Sequence, residues 1–260
     1  MGYSKELEVA KFAAKEAGKI LLENFNKPYS VYQKGERKEF VTEIDLKSEE
    51  LILSILKKEF PMYNLHAEES GEENKNSEFT WFVDPLDGTT NYKIKNPFFN
   101  VSIGLAKGNQ PVVGVVYSPF LDELFSAEIG KGAFLNGNPI KVSERTDIKS
   151  SVIGFCHSGR KQEYVQRGIN IFSKLKLLSS HTRQFGAAAL ELCYLAAGRI
   201  DVFELSNLNT YDVAAGALIA KEAGAKLTDF KGGLWDLSKQ DLLGTNGKVH
   251  AEVLEAVRGL

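Results

Sequence analysis

The sequence predicts an α/β protein of two packed halves, an α+β half over residues 1–145 and an α/β half over residues 146–260. Three observations lead there. The first 60 residues carry apolar residues at helical spacing. Residues 64–142 hold short β-rich runs separated by Gly, Pro and Asn. Beyond residue 145 strand-like and helix-like stretches alternate, which suggests a sheet covered by helices.

In chain order, Leu7, Ala10, Ala14, Ala17, Leu21 and Phe25 recur at helical spacing and predict a first helix over 4–25. A second helix is expected over 45–60, with Leu46, Ile52, Ile55 and Leu56 on its buried side and Pro61 as its stop. The runs "WFVD", "NVSIGLA", "VVGVVYS" and "ELFSAEIG" read as strands. After "SERTDIKSS" come a strand at "SVIGF", a helix over 162–174, a strand at "KLKLLS", a helix over 186–197 and a strand at "IDVFEL". A helix over 212–223, strands at "KLTDF" and "DLLGTN", and a last helix complete the chain.

Composition narrows the function. With 260 residues, 43% of them hydrophobic, the chain can bury a sizeable core. A formal net charge of -2 and the lack of a dense basic run argue against a nucleic-acid surface. No apolar run approaches a membrane span, the N-terminus lacks a signal-peptide core, and Cys156 and Cys193 fit no metal or CxxC spacing, so a reduced, cytoplasmic protein is expected.

Carboxylates stand where elements are expected to end: Asp45 in "VTEID", Glu68 and Glu69 in "HAEES", Asp84 and Asp87 in "DPLDGT", and Asp212 in "TYDVAAG". Singly, Asp45 and Asp212 read as first-turn acids favoured by the helix dipole, and Glu68-Glu69 as a solvated turn. "DPLDGTT" is more specific. A turn that brings two carboxylates and the Leu86 carbonyl to one point suits a hard cation such as Mg²⁺, which takes oxygen ligands. Gly88, Thr89 and Thr90 then offer backbone N–H groups where a helix can begin, a seat for a phosphate oxygen. Carboxylates gathered within about 4 Å repel each other by a few kcal/mol per pair. Divalent cations would turn that repulsion into an electrophilic clamp for a phosphate ester.

"DPLDGTTN", with "EES" upstream and "YDVAAGALIAKEAGA" downstream, resembles the inositol monophosphatase family of Mg²⁺-dependent, lithium-sensitive phosphatases. The likeness extends to "VTEID", "NVSIGLA", "GKGAFLNG" and "FGAAALELCYLAAGRIDVF". It implies an αβαβα layered fold of the sugar-phosphatase type, usually homodimeric, and hydrolysis of a small sugar or inositol phosphate by a metal-activated water. It further implies two or three Mg²⁺ ions, for which Mn²⁺ can substitute, and inhibition by Li⁺. Glu68, Asp84 and the Leu86 carbonyl would hold the first ion, and Asp84, Asp87 and Asp212 the second. The amides of Gly88 and Thr89 would bind phosphate, Asp45 would pair with Thr89, and Thr89 with Glu68 would orient the attacking water. Gly186, Ala188, Glu204 and Ser158 would line the sugar side together with Asp87 and Asp212. Ala67 and Tyr211 replace the family's usual Gly and Trp, and the stretch from Glu204 to Asp212 is one residue longer than in animal members.

The compact chain resembles members that hydrolyse both inositol 1-phosphate and fructose 1,6-bisphosphate. A bisphosphate needs a cation at its far end, for which Arg160, Lys161 and Arg183 are candidates. Two alternatives are a phosphatase of 3′-phosphoadenosine 5′-phosphate and a metal-binding regulatory protein without turnover. The scattered histidines His66, His157, His181 and His250 read as structural, as does Cys193 in its apolar helix, and the Gly130-Lys131-Gly132 turn lacks phosphate-loop spacing.

Overall fold

The computed structural model describes residues 2–34, 39–157 and 161–260. The chain begins with α1 (Ser4–Asn24), a hairpin of β1 (Val31–Lys34) and β2 (Glu39–Thr42), and α2 (Glu43–Glu59). Next come β3 (Asn64–Ala67), β4 (Gly71–Glu73), β5 (Phe79–Asp87), the short α3 (Thr89–Lys93), β6 (Asn100–Lys107), β7 (Gln110–Ser118), β8 (Glu123–Glu128), β9 (Ala133–Leu135) and β10 (Asn138–Ile140). The remainder is β11 (Ile153–His157), α4 (Gln162–Leu178), β12 (Thr182–Arg183), α5 (Ala188–Ala196), β13 (Val202–Ser206), α6 (Thr210–Glu222), β14 (Lys226–Thr228), β15 (Asp241–Thr245) and α7 (His250–Val257).

Two sheets carry the architecture. The larger has strand order β10-β9-β8-β7-β6-β5-β3-β4 and the smaller β12-β11-β13-β15-β14. In the larger only β3 and β5 run parallel. Helices α1 and α2 cover its outer face, α5 and α6 lie between the sheets, and α4 and α7 cover the far face of the smaller sheet. The result is five layers, αβαβα.

Small residues set the spacing of the middle layer. A Cβ on Gly114 of β7 would lie 2.5 Å from the Ala215 carbonyl oxygen of α6, and one on Gly104 of β6 would lie 2.9 Å from the Ala215 nitrogen. On the other side of α6, a Cβ on Gly216 would meet the Ala189 carbonyl oxygen of α5 at 2.9 Å. The "VAAGA" segment therefore touches the sheet backbone almost directly, and its first turn is held close to the end of β5.

Two expectations change. "KLKLLS" is the last turn of α4, not a strand, because Ile171 and Leu175 continue the buried stripe at i,i+4 spacing and bury fully. Leu46 is 46% exposed and sits on the solvent side of α2, whose buried stripe is Ile44, Ser48, Ile52 and Leu56. Among the described residues no helix is long and apolar enough to cross a membrane.

Gly114→Ala should cost about 1–3 kcal/mol, since an added methyl in a packed core strains its neighbours. We expect a lower Tm by calorimetry, with Gly137→Ala, a left-handed turn position in open space, as a strain control rather than a packing one. A Gly114→Ala protein with unchanged Tm would contradict the tight seam.

Candidate active site

Asp84 ends the regular pairing of β5 with β6, and the register shifts between Asp84 and Asp87. Three local bonds fix this bulge. The Leu86 N–H donates to Asp84 Oδ1 at 3.0 Å, the Ser48 hydroxyl donates to the Pro85 carbonyl at 2.9 Å, and the Thr89 hydroxyl lies 3.1 Å from the Leu86 carbonyl. Gly88 follows at φ 90°, a left-handed conformation that a side chain would strain, and turns the chain into α3. A Cβ there would also lie 3.0 Å from the Phe98 carbonyl oxygen.

The other acids arrive on separate elements. Asp45 sits in the first turn of α2, where its Oδ2 accepts the Thr42 N–H at 2.9 Å and the Thr42 hydroxyl. Its Oδ1 lies 3.4 Å from the Thr89 hydroxyl. Glu68 follows β3, with its N–H donating to the Val83 carbonyl at 3.1 Å. Asp212 lies in the first turn of α6, where its Oδ2 accepts the Asn209 side-chain amide at 3.1 Å. Asp87 accepts the Ala188 and Ala189 N–H groups at 3.1 and 2.9 Å and the Asn100 side chain at 2.7 Å, so it caps the start of α5. The first turns of α2, α3, α5 and α6 thus all supply site residues, and their dipoles favour negative charge.

Electrostatics bind the cluster into one unit. The carboxyls of Glu68 and Asp84 lie close enough to act directly on one another. Burial pushes Asp84 well above the usual carboxylate range, with Glu68, Asp87 and Asp212 adding repulsion. Glu68 rises for the same reason, with Asp212 as the largest charge upon it. Asp87 is raised to about 6 by burial despite the bonds from Asn100 and the α5 amides. Asp45 is raised to about 6 by burial, partly offset by Thr42. Among the described residues no three side chains close into a compact preformed cage. The donors nevertheless are all carboxylate or carbonyl oxygens under mutual repulsion, and they fit a hard divalent cation.

The chain matches the model of the inositol monophosphatase family over residues 3–260. It belongs to that family. Fructose-1,6-bisphosphatase/inositol-1-monophosphatase of Aquifex aeolicus is 38% identical over 256 residues, covering 98% of this chain and 96% of the relative. Nus factor SuhB of Escherichia coli is 36% identical, covering 97% and 95%. The crystal structure of extragenic suppressor protein suhB from Bartonella henselae superposes with a TM-score of 0.91 at 35% identity, covering 98% of this chain and 99% of that one. Members of the inositol monophosphatase family are Mg²⁺-dependent phosphomonoesterases.

Not every residue that the family pattern suggested reaches the site. Glu204 is fully buried on β13, flanked in register by Phe155 and Leu243. Both neighbours face the core under α4 and α7, so strand alternation turns Glu204 away from the acids. The Gly186 amide donates to Glu191 Oε1 at 3.0 Å and the Ala188 amide to Asp87, so the structure gives both a partner other than a sugar. Arg183 is exposed on β12 and donates to the Thr182 carbonyl, while Lys161 precedes α4. Ser158 and Arg160 lie outside the described residues.

Sequence reading missed the supports. Asn91 donates to the Phe98 and Phe185 carbonyls at 2.8 and 2.7 Å and ties the α3 turn to the segment before α5. Asn100 stands opposite Asp87 in register, and a paired-strand alignment is the one signal that could have found it. Glu191, in the first turn of α5, is raised to about 8 chiefly by burial.

These raised values fix a pH dependence. Asp45, Asp87 and Glu191 each bind a proton more tightly folded than unfolded, so stability present below the unfolded pKa is lost as pH rises through the folded one. The window runs from 3.8 to about 6 for the two aspartates and from 4.5 to about 8 for Glu191. In EDTA the Tm should therefore fall from pH 5 to pH 8, and Glu191→Gln should flatten the fall above pH 6. An unchanged slope in Glu191→Gln would remove Glu191 as its source.

Proposed function

We propose that this protein is a Mg²⁺-dependent phosphomonoesterase that hydrolyses inositol 1-phosphate and the 1-phosphate of fructose 1,6-bisphosphate. The observation that carries this reading is the convergence of Glu68, Asp84, Asp87 and Asp212 in one buried, mutually repelling acid cluster beside helix N-termini. Family membership and the dual name of the Aquifex aeolicus relative support the substrate class.

Glu68, Asp84, Asp87, Asp212 and the Leu86 carbonyl would hold Mg²⁺, which when bound supplies Lewis-acid catalysis and lowers the pKa of water. The chain's own groups do the rest. The N–H groups of Gly88 and Thr89, at the start of α3, have no partner within that helix and are available to phosphate oxygens. Thr89 has one hydroxyl proton and two acceptors within reach, Leu86 O at 3.1 Å and Asp45 Oδ1 at 3.4 Å. Donated to Asp45, that proton leaves the Thr89 lone pairs to orient a water toward phosphorus. Asp45, with a pKa of about 6 and firm bonds from Thr42, holds its negative charge at neutral pH and keeps Thr89 in that orientation.

Specificity must come from groups outside the acid cluster, because the cluster engages only the scissile phosphate. Arg183 is exposed, and Lys161 stands just before α4. An Arg fork grips phosphate in bidentate fashion. The name of the Escherichia coli relative, Nus factor, supports a second reading in which the fold also serves as a docking module, independent of turnover.

Two outcomes are expected. Asp84→Asn keeps side-chain volume and relieves repulsion, so it should fold yet retain less than about a tenth of wild-type turnover at saturating Mg²⁺, a barrier increase above about 1.4 kcal/mol. More residual turnover than that would contradict a shared ligand role. In a phosphate-release panel the wild type should hydrolyse both substrates. Arg183→Ala or Lys161→Ala should raise KM for the bisphosphate by about tenfold, about 1.4 kcal/mol, with little change for inositol 1-phosphate. Inertness toward fructose 1,6-bisphosphate would defeat dual specificity, and equal effects on both substrates would defeat the far-phosphate role.

A further inference from the structure

Glu49 is a glutamate buried to 4% exposure in the second turn of α2, and no lysine or arginine ion pair holds it among the described residues. Its two oxygens are instead divided between two consecutive amides. Oε2 accepts the Glu69 N–H and Oε1 accepts the Ser70 N–H, each at 2.8 Å. A carboxylate that receives two short, charge-assisted bonds from adjacent backbone groups fixes the position and the orientation of that turn. The turn is the one that follows β3 and carries Glu68.

The same face of α2 holds the other parts of the site. Asp45, four residues earlier, approaches Thr89, and Ser48 binds the Pro85 carbonyl. One and a half turns of helix therefore contact the α3 turn, the β5 bulge and the Glu68 turn, which are separate in sequence. Glu68 is held from both sides: its own N–H by the Val83 carbonyl of β5, and the next N–H by Glu49.

We propose that Glu49 is a positioning residue for Glu68: by clamping the Glu69 and Ser70 amides it fixes the carboxylate of Glu68 against that of Asp84 and so sets the affinity of the site for Mg²⁺. This rests on the metal reading above. It predicts a particular failure in Glu49→Gln. A carboxamide presents an acceptor to one amide but an N–H to the other, so donor faces donor and the turn rotates. The metal-free fold also loses the bond to one buried amide, so the variant's Mg²⁺ response is read against its own EDTA state.

The experiment is a Mg²⁺ titration of the Tm of wild type, Glu49→Gln and Glu49→Asp, each first stripped with EDTA. The shorter acid in Glu49→Asp would keep the charge but fall one methylene short of both amides, so it reports the same clamp where the Gln variant does not fold. The expected result is an EDTA-state Tm somewhat below that of wild type and a Mg²⁺ midpoint raised about tenfold, the usual scale for losing a group that orients a metal ligand. Turnover should then recover to within about threefold at saturating Mg²⁺, the signature of a lost binding interaction rather than lost chemistry. A Mg²⁺ midpoint equal to that of wild type in both variants overturns the proposal. So does a turnover deficit that Mg²⁺ does not restore. A wild-type Tm indifferent to Mg²⁺ would instead sink the metal reading itself.

Discussion

Everything in this molecule answers to the burial of Asp84. A β-strand that carries a carboxylate into the interior at Asp84, beside a second carboxylate from Glu68, sets up a repulsion that the fold must relieve. Without metal it does so with carboxyls that hold their protons more tightly than usual and with hydrogen-bond donors. The donors come from helix starts, because a first turn offers N–H groups that no intrahelical carbonyl uses. Asp87 takes its bonds from the start of α5, and Asp45 and Asp212 sit inside the first turns of α2 and α6. The acids can crowd because the positive ends of helices surround them, and the same ends favour an incoming phosphate.

Such convergence demands tight control of helix position. Helix α6 delivers Asp212 and is wedged between a sheet and another helix. The wedge is made of glycine and alanine on all three surfaces, Gly104 and Gly114 below, Ala214 and Ala215 within, and Gly216 against α5. A larger residue at any of these points would push the first turn of α6 outward. A motif that looks like low-information apolar filler is thus part of the geometry of the site, acting through distance rather than chemistry.

The supports around the acids are polar, and each makes at least one hydrogen bond to a site loop. Glu49, Ser48, Asn91 and Asn100 each tie a site loop to a rigid element. Buried polar groups of this kind are costly when left half satisfied, so the loops have few alternative arrangements. The site therefore sits on secondary structure even though the acids themselves lie at the ends of strands and in turns.

The sequence by itself determined the kinds of elements and the chemistry. Helical spacing placed α1 and α2, β-rich runs placed β5 to β8, and "DPLDGTT" announced two acids, a turn and a helix start. These signals are local: a period, a proline, a glycine at a helix start. Only the tertiary structure decided which acids meet, since Asp45, Glu68, Asp84 and Asp212 reach one place through packing between elements far apart in the chain. It also decided that Glu204 faces away, because a single residue of offset on a strand reverses the side chain. It turned the Gly186 and Ala188 amides inward, and it gave Glu49 its clamp, a contact across about twenty residues that no spacing in α2 foretells. Local propensity speaks for the residue and its near neighbours; the meeting of distant groups is fixed by how close the backbones can come.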